Sequence, residues 1–234
     1  MNETNDTVPA LEVDNLVVDV AGHRVVDDVS FRVPQGSTTA IIGPNGAGKS
    51  VLLKSMLRLI PKVSGEVMLF GTPHEEYADV APLVSYIPQR LAFQDYFPLT
   101  VEGLFALKSP RPLGMSATER ARMEELLSLV GMSQHMDGRI AELSGGQMQR
   151  VMIAYSLVDH PKILFLDEPS AGIDVQGQET VYALLKRVQK EERITMILVS
   201  HELEVSLQYA DQVLCLSQRL LCAGVPGRVL TSDL

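Results

Sequence analysis

The sequence predicts an α/β fold, with an antiparallel β-subdomain at its N-terminal side and an all-helical insertion in its middle. Three observations carry that expectation. Between Leu11 and Val33 short segments alternate apolar and polar residues, the period of half-buried strands. From Ile163 onward apolar runs of strand length alternate with a helical pattern, as β-α-β units do. Between Gln89 and Leu143 no stretch reads as a good strand. The chain is expected to form a single domain over 1–234, with a core at about 11–89 and 159–234 and a helical subdomain at about 90–158.

Each element follows from its residues. Met1 to Ala10 (MNETNDTVPA) is a polar, acidic lead-in without the basic and apolar regions of a secretion signal. LEVDNLVVDV and VVDDVSFRV then read as antiparallel strands. Thr38 to Ile42 is a short apolar strand that runs into Gly43–Ser50 and a helix over Val51–Ile60. Strands are expected at Gly65–Phe70 and Val84–Ile87. Thr100–Lys108 and Ser116–Val130 carry helical periodicity, and Ser116 with Glu119 has capping-box spacing. The charged residues Glu119, Arg120, Arg122, Glu124 and Glu125 are expected on a solvated face. A helix follows Ser144 to about Val158; then come strand Ile163–Asp167, helix Gln176–Glu192 and strand Ile194–Ser200. Gln212–Leu216 and Leu220–Ala223 close the chain as a hairpin.

Bulk properties narrow the function. The 234 residues are 46% hydrophobic and 21% charged, with a formal net charge of −9, an ordinary globular balance. No Lys/Arg run forms a basic stripe and the net negative charge would repel a phosphate backbone, so nucleic acid is not expected as a partner. Cys215 and Cys222 are too few for a disulfide framework or a structural zinc site and are expected as small core side chains. No run approaches the ~18 apolar residues of a membrane span. A soluble, cytoplasmic chain is expected.

Gly43-Pro44-Asn45-Gly46-Ala47-Gly48-Lys49-Ser50 fits G-x-x-x-x-G-K-[ST] at every fixed position, between a strand and a helix. Gly43, Gly46 and Gly48 allow the backbone to turn and to approach phosphates without a Cβ in the way. The N–H groups then point inward, aided by the positive end of the helix that continues through Val51. Lys49 supplies a point charge for the outer phosphates, and the Ser50 hydroxyl can ligate Mg²⁺. This pattern by itself specifies a nucleoside triphosphatase and no particular class.

Ile163-Leu164-Phe165-Leu166-Asp167-Glu168 is an apolar strand ending in two carboxylates. It delivers Asp167 and Glu168 at the carboxyl end of the sheet, where ligands bind in open α/β folds. Asp167 suits Mg²⁺, and Glu168 suits the general base for an attacking water.

Leu143-Ser144-Gly145-Gly146-Gln147, followed by Gln149 and Arg150, resembles the LSGGQxQR signature of ABC ATPases. Gln89 in YIPQR falls at that family's Q loop, SAGID (Ser170–Asp174) at its D loop, and His201 in VSHEL at its switch histidine. The resemblance runs from about Leu11 through the rest of the chain. It implies a P-loop NTPase (RecA-like) core of ABC ATPase type, with ATP and Mg²⁺ as ligands. It also implies roles for Gln89, as a sensor of Mg²⁺ and water, and for His201, at the γ-phosphate. Ser144, Gly145, Gly146 and Gln147 would hold the ATP of an opposing subunit, so that ATP drives a homodimer, with Asp174 in the D loop. From residues alone, Ser144 is a good N-cap, and the glycines after it leave first-turn N–H groups open as an anion site.

The family's adenine-stacking aromatic has no counterpart: Val20 or Ala21 aligns there, with His23 the nearest ring. Modest selectivity among nucleotide bases is the expected consequence. His23, His74, His135 and His160 are otherwise expected as surface or structural residues. EPSAGIDVQGQ (Glu168–Gln178), VLCLSQRLLCAG (Val213–Gly224) and Val84–Val101 resemble the ATPases of zinc/manganese importers. That resemblance implies a separate integral-membrane permease, an extracytoplasmic substrate-binding protein, and a location on the cytoplasmic face of the cell membrane. Arg90 to Val101, with Phe93, Tyr96, Phe97 and Leu99, is the expected permease dock.

Overall fold

The computed structural model describes residues 8–89, 98–111, 114–201 and 208–229, leaving aside the side chains at 77, 175 and 176. In chain order come β1 (Leu11–Val20), β2 (His23–Val33), β3 (Thr38–Ile42), α1 (Lys49–Met56), β4 (Ser64–Leu69), β5 (Thr72–Pro73), α2 (Tyr77–Val80) and β6 (Val84–Ile87). Then follow α3 (Val101–Ala106), α4 (Ala117–Leu129), α5 (Gly145–Ser156), β7 (Ile163–Asp167), α6 (Val175–Glu192), β8 (Thr195–Ser200), β9 (Gln212–Ser217), β10 (Arg219–Gly224) and α7 (Pro226–Val229).

The strands form two sheets. One is antiparallel, in the order β2-β1-β4-β5; the other runs β10-β9-β3-β8-β7-β6. β9, β3, β8, β7 and β6 are parallel, and β10 is added antiparallel as a hairpin. At the β1–β2 turn Ala21 and Gly22 both take positive φ, 51° and 80°, as a two-residue hairpin turn of this kind needs.

β3, β7 and β8 are buried at every residue, because the parallel sheet is covered on both faces. Side-chain alternation divides these strands between two cores. Ile41, Phe165, Ile197 and Val199 pack with α1 and the antiparallel sheet. Ala40, Ile42, Leu164, Leu166, Met196 and Leu198 pack with α3, α4, α5 and α6. Because β3, β8 and β7 run parallel, their carboxyl ends lie at the same edge of the sheet, where the loops after β3 and β7 meet.

The expected bounds of β3, β6 and β7 agree with the structure, and α4 begins with the full Ser116/Glu119 capping box. Helix α1 starts at Lys49 instead of Val51, so its first turn belongs to the glycine loop itself. The two-residue strand β5 is too short to leave a periodic signal. Two expectations are corrected. Arg122 is not on a solvated face: its side chain is 14% exposed and pairs with Glu192 of α6 at 2.8 Å. Cys215 and Cys222 are not core side chains; the β9–β10 register sets them opposite each other, Cα atoms 4.9 Å apart, as a disulfide.

Candidate functional site

The glycine loop is shaped by what lies behind it. A Cβ on Gly43 would lie 2.1 Å from the Leu216 carbonyl oxygen, and one on Gly48, at φ 94°, would lie 2.6 Å from that of Val25. Gly46, at φ 81°, faces open space, so its role is the turn alone. The hairpin after β9 holds the loop from behind, with Gln218 N–H donating to Ala47 O at 3.0 Å. Gly48 occupies the N-cap of α1 and no side chain caps that helix. Its first-turn N–H groups are therefore offered to an external acceptor.

Lys49 is 5% exposed, and its Nζ donates to Gly43 O at 2.8 Å and Pro44 O at 2.9 Å. Burial lowers its pKa from the ordinary lysine value, while the carboxylates of Glu168 and Asp167 oppose that shift. Ser50 Oγ donates to Asp167 Oδ1 at 2.7 Å. Asp167 is 2% exposed. Tyr86 of β6 points its hydroxyl at the other carboxylate oxygen, 3.5 Å away. Burial first and the Asp167 charge second push the Tyr86 phenol up to about 12, so it stays a donor.

Glu168 leaves β7 in the left-handed region, φ 50°, held by its N–H to Val199 O at 3.0 Å. That conformation is costly for a residue with a Cβ and recurs at functional sites. Its carboxylate is engaged from two sides. Gln89 Nε2 donates to Oε2, and His201 Nδ1 lies 3.6 Å from Oε1. Asn45, Gly46, Ala47, Gly48, Lys49, Ser50, Val51 and Glu168 line one cavity of about 220 Å³ together with Val25.

Val20 lies at the end of β1, 38% exposed, and is not among the residues lining that cavity. Val25 of β2 is the apolar side chain found there. Nothing in its sequence context distinguishes it; only the close packing of Gly48 on the Val25 carbonyl brings it in.

The start of α5, with Ser144 and Gly146, borders a second cavity. Ser144 caps α5: its Oγ accepts from Gln147 N–H at 3.3 Å, and Gln147 Oε1 accepts from Ser144 N–H at 2.9 Å. Gly131, Gln134, His135, Ser144, Gly146 and Gln147 contribute to a cavity of about 310 Å³. No residue lines both cavities, so this set is not brought to the glycine loop of its own chain. Asp174 caps α6, accepting from Gly177 N–H at 2.9 Å. Phe93, Tyr96 and Phe97 lie outside the described residues. Leu99 is half-buried against the helical core.

Residues 26–171 match the family model for the ABC transporter. The chain is 38% identical to the zinc transport system ATP-binding protein TroB of Treponema pallidum (strain Nichols), over all of this chain and 88% of that protein. It is 33% identical to the zinc import ATP-binding protein ZnuC of Pasteurella multocida (strain Pm70), over 95% of this chain and 78% of that one. Among solved structures, cbiO1 of Clostridium perfringens, part of the transporter complex cbiONQ, superposes with a TM-score of 0.84 at 28% identity. That superposition covers 96% of this chain and 91% of cbiO1.

Proposed function

The chain belongs to the ABC transporter family, and from that premise we propose that it is the ATP-hydrolysing subunit of a divalent-metal importer, most specifically for zinc. The ATPase assignment rests above all on the Ser50–Asp167 contact of 2.7 Å beside the glycine loop. The zinc assignment is supported by the names of the relatives, which are zinc transport and zinc import ATP-binding proteins at 38% and 33% identity.

The glycine loop binds the phosphates of ATP through its N–H groups, and Lys49 exchanges its two carbonyl partners for phosphate oxygens. Ser50 and Asp167 fit Mg²⁺: both offer hard oxygen donors, close together, one of them a buried carboxylate. When bound, the ion neutralises charge on the transferring phosphate. Glu168 accepts the proton of the attacking water, with Gln89 fixing one carboxylate oxygen and His201 poised at the other. Ser144, Gly145, Gly146 and Gln147 take the ATP held by a second copy, which explains why their cavity is separate from the glycine loop. Asp174 holds the start of α6 beside that junction.

Among the described residues no helix is long and apolar enough to cross a membrane. In this reading permease subunits carry the metal across the membrane and hold this chain at its cytoplasmic face. An extracytoplasmic binding protein would supply the metal. The single-domain division, with residues 90–158 as the helical part, belongs to the same proposal.

The test is the Glu168→Gln chain, its mass measured in solution with and without ATP and Mg²⁺. Dimers that require ATP and vanish with Ser144→Arg support a two-chain sandwich. ATP-independent mass, on the free chain and on the chain purified with its permease, would overturn it. Zinc uptake by the assembled transporter, lost with Glu168→Gln, tests the substrate.

A further inference from the structure

His135 sits in a short 3₁₀ turn, Ser133–His135, twelve residues before Gln147. Its Nε2 lies 3.2 Å from Gln147 Nε2. The orientation of the Gln147 amide is fixed independently. A backbone N–H can only donate, so the side-chain atom 2.9 Å from Ser144 N is the Gln147 oxygen. The NH₂ group must then face His135, and the contact is a hydrogen bond only if the ring offers the lone pair of Nε2. That requires the neutral tautomer with its proton on Nδ1.

We propose that His135 is a positioning residue for the signature motif, locking the Gln147 amide and, through it, the Ser144 cap in the orientation that receives the opposing subunit's ATP. The proposal rests on the two-chain sandwich proposed above. The chain of contacts is continuous: His135 accepts from the Gln147 amide, the amide oxygen accepts from Ser144 N–H, and Ser144 Oγ accepts from Gln147 N–H. Without the imidazole the amide keeps only its bond from Ser144 N–H, so the reciprocal cap is held less rigidly in that orientation. Gln134, His135, Ser144, Gly146 and Gln147 share one cavity wall, so the lock lies at the surface where a second chain would dock. His135 itself need not touch the nucleotide.

The experiment uses the full chain carrying Glu168→Gln, with ATP and Mg²⁺, and reads the protein concentration at half-dimerisation. His135→Leu removes the acceptor and keeps bulk; His135→Gln restores an acceptor; His135→Lys presents donors only. One neutral hydrogen bond corresponds to roughly fivefold, and a symmetric dimer contains two, so His135→Leu should raise that concentration roughly 25-fold. His135→Lys should do at least as much, and His135→Gln should recover most of the loss. ATP affinity of the monomer, read by nucleotide titration, should stay within about twofold in all three, which also reports folding. Equal dimerisation of His135→Leu and its parent would overturn the proposal. So would a His135→Gln chain as defective as His135→Leu, because the effect would then be packing. If the Glu168→Gln parent itself never dimerises, neither as the free chain nor purified with its permease, the sandwich fails and this proposal with it, a result distinct from the other two.

Discussion

Ser50 Oγ and Asp167 Oδ1 meet at 2.7 Å, joining the first turn of α1 to the end of β7 across 117 residues of sequence. Only the parallel order β3-β8-β7 makes this possible, because it carries the loop after β3 and the end of β7 to the same edge of the sheet. The pair therefore links the glycine loop to the two carboxylates at the end of β7.

If this pair is the Mg²⁺ seat, Ser50→Ala and Asp167→Asn should lose most of the ATPase rate while retaining metal-free nucleotide binding. Titration with a fluorescent ATP analogue, with and without Mg²⁺, separates the two effects. Undiminished Mg²⁺-dependent turnover in Asp167→Asn would exclude the assignment.

Glu168 combines a strained backbone with the carboxylate proposed as the general base. Glu168→Gln should lower kcat by roughly 10²–10⁴-fold, the usual contribution of a positioned base. Because φ is 50°, Glu168→Gly should be more stable than Glu168→Ala by about 1 kcal/mol, although both are inactive. Urea denaturation of the two variants checks this; an alanine variant of equal or greater stability would contradict it.

The loop glycines should separate in a predictable order. Gly48→Ala drives a Cβ into the Val25 carbonyl, 2.6 Å away at φ 94°, and should cost more than about 2 kcal/mol. Gly46→Ala meets open space at φ 81° and should cost about 1 kcal/mol, from backbone strain alone. Denaturation midpoints measured side by side give the comparison, and reversal of the order would refute the packing account.

Acid should remove one identifiable contribution to stability. The Lys62 ammonium, 2.7 Å from Glu75 Oε1, is the first cause holding the Glu75 carboxyl down at about 2. A depressed carboxyl pKa stabilises the fold fully above its unfolded value of 4.5, and the contribution is lost as pH falls from there toward 2. The effect is modest and salt-sensitive because Glu75 is largely exposed. Glu75→Gln should flatten the stability profile across that window, matching the parent in acid near pH 2 and falling modestly short of it near neutrality. An identical acid limb in both chains would rule the pair out.

Local pattern made much of this molecule legible. β3, β6 and β7 are apolar runs bounded by turn residues, and the Ser116–Glu119 box announces α4 at its true start. The glycine loop and the Asp167–Glu168 pair are also local, since their chemistry needs particular residues at fixed spacing. The sequence alone therefore determined the fold class and located the glycine loop and the carboxylate pair. What it left open depends on contacts between distant segments. Arg122 reads as one more surface charge until α4 lies against α6 and supplies Glu192. Cys215 and Cys222 read as apolar filler until the β9–β10 register sets them face to face. Val25 enters the cavity because Gly48 packs on its carbonyl, and His135 acquires a partner because its turn folds back on the start of α5. Short-range rules select element types, but which side chains meet across a core is decided by register and packing, and those exist only in the tertiary structure.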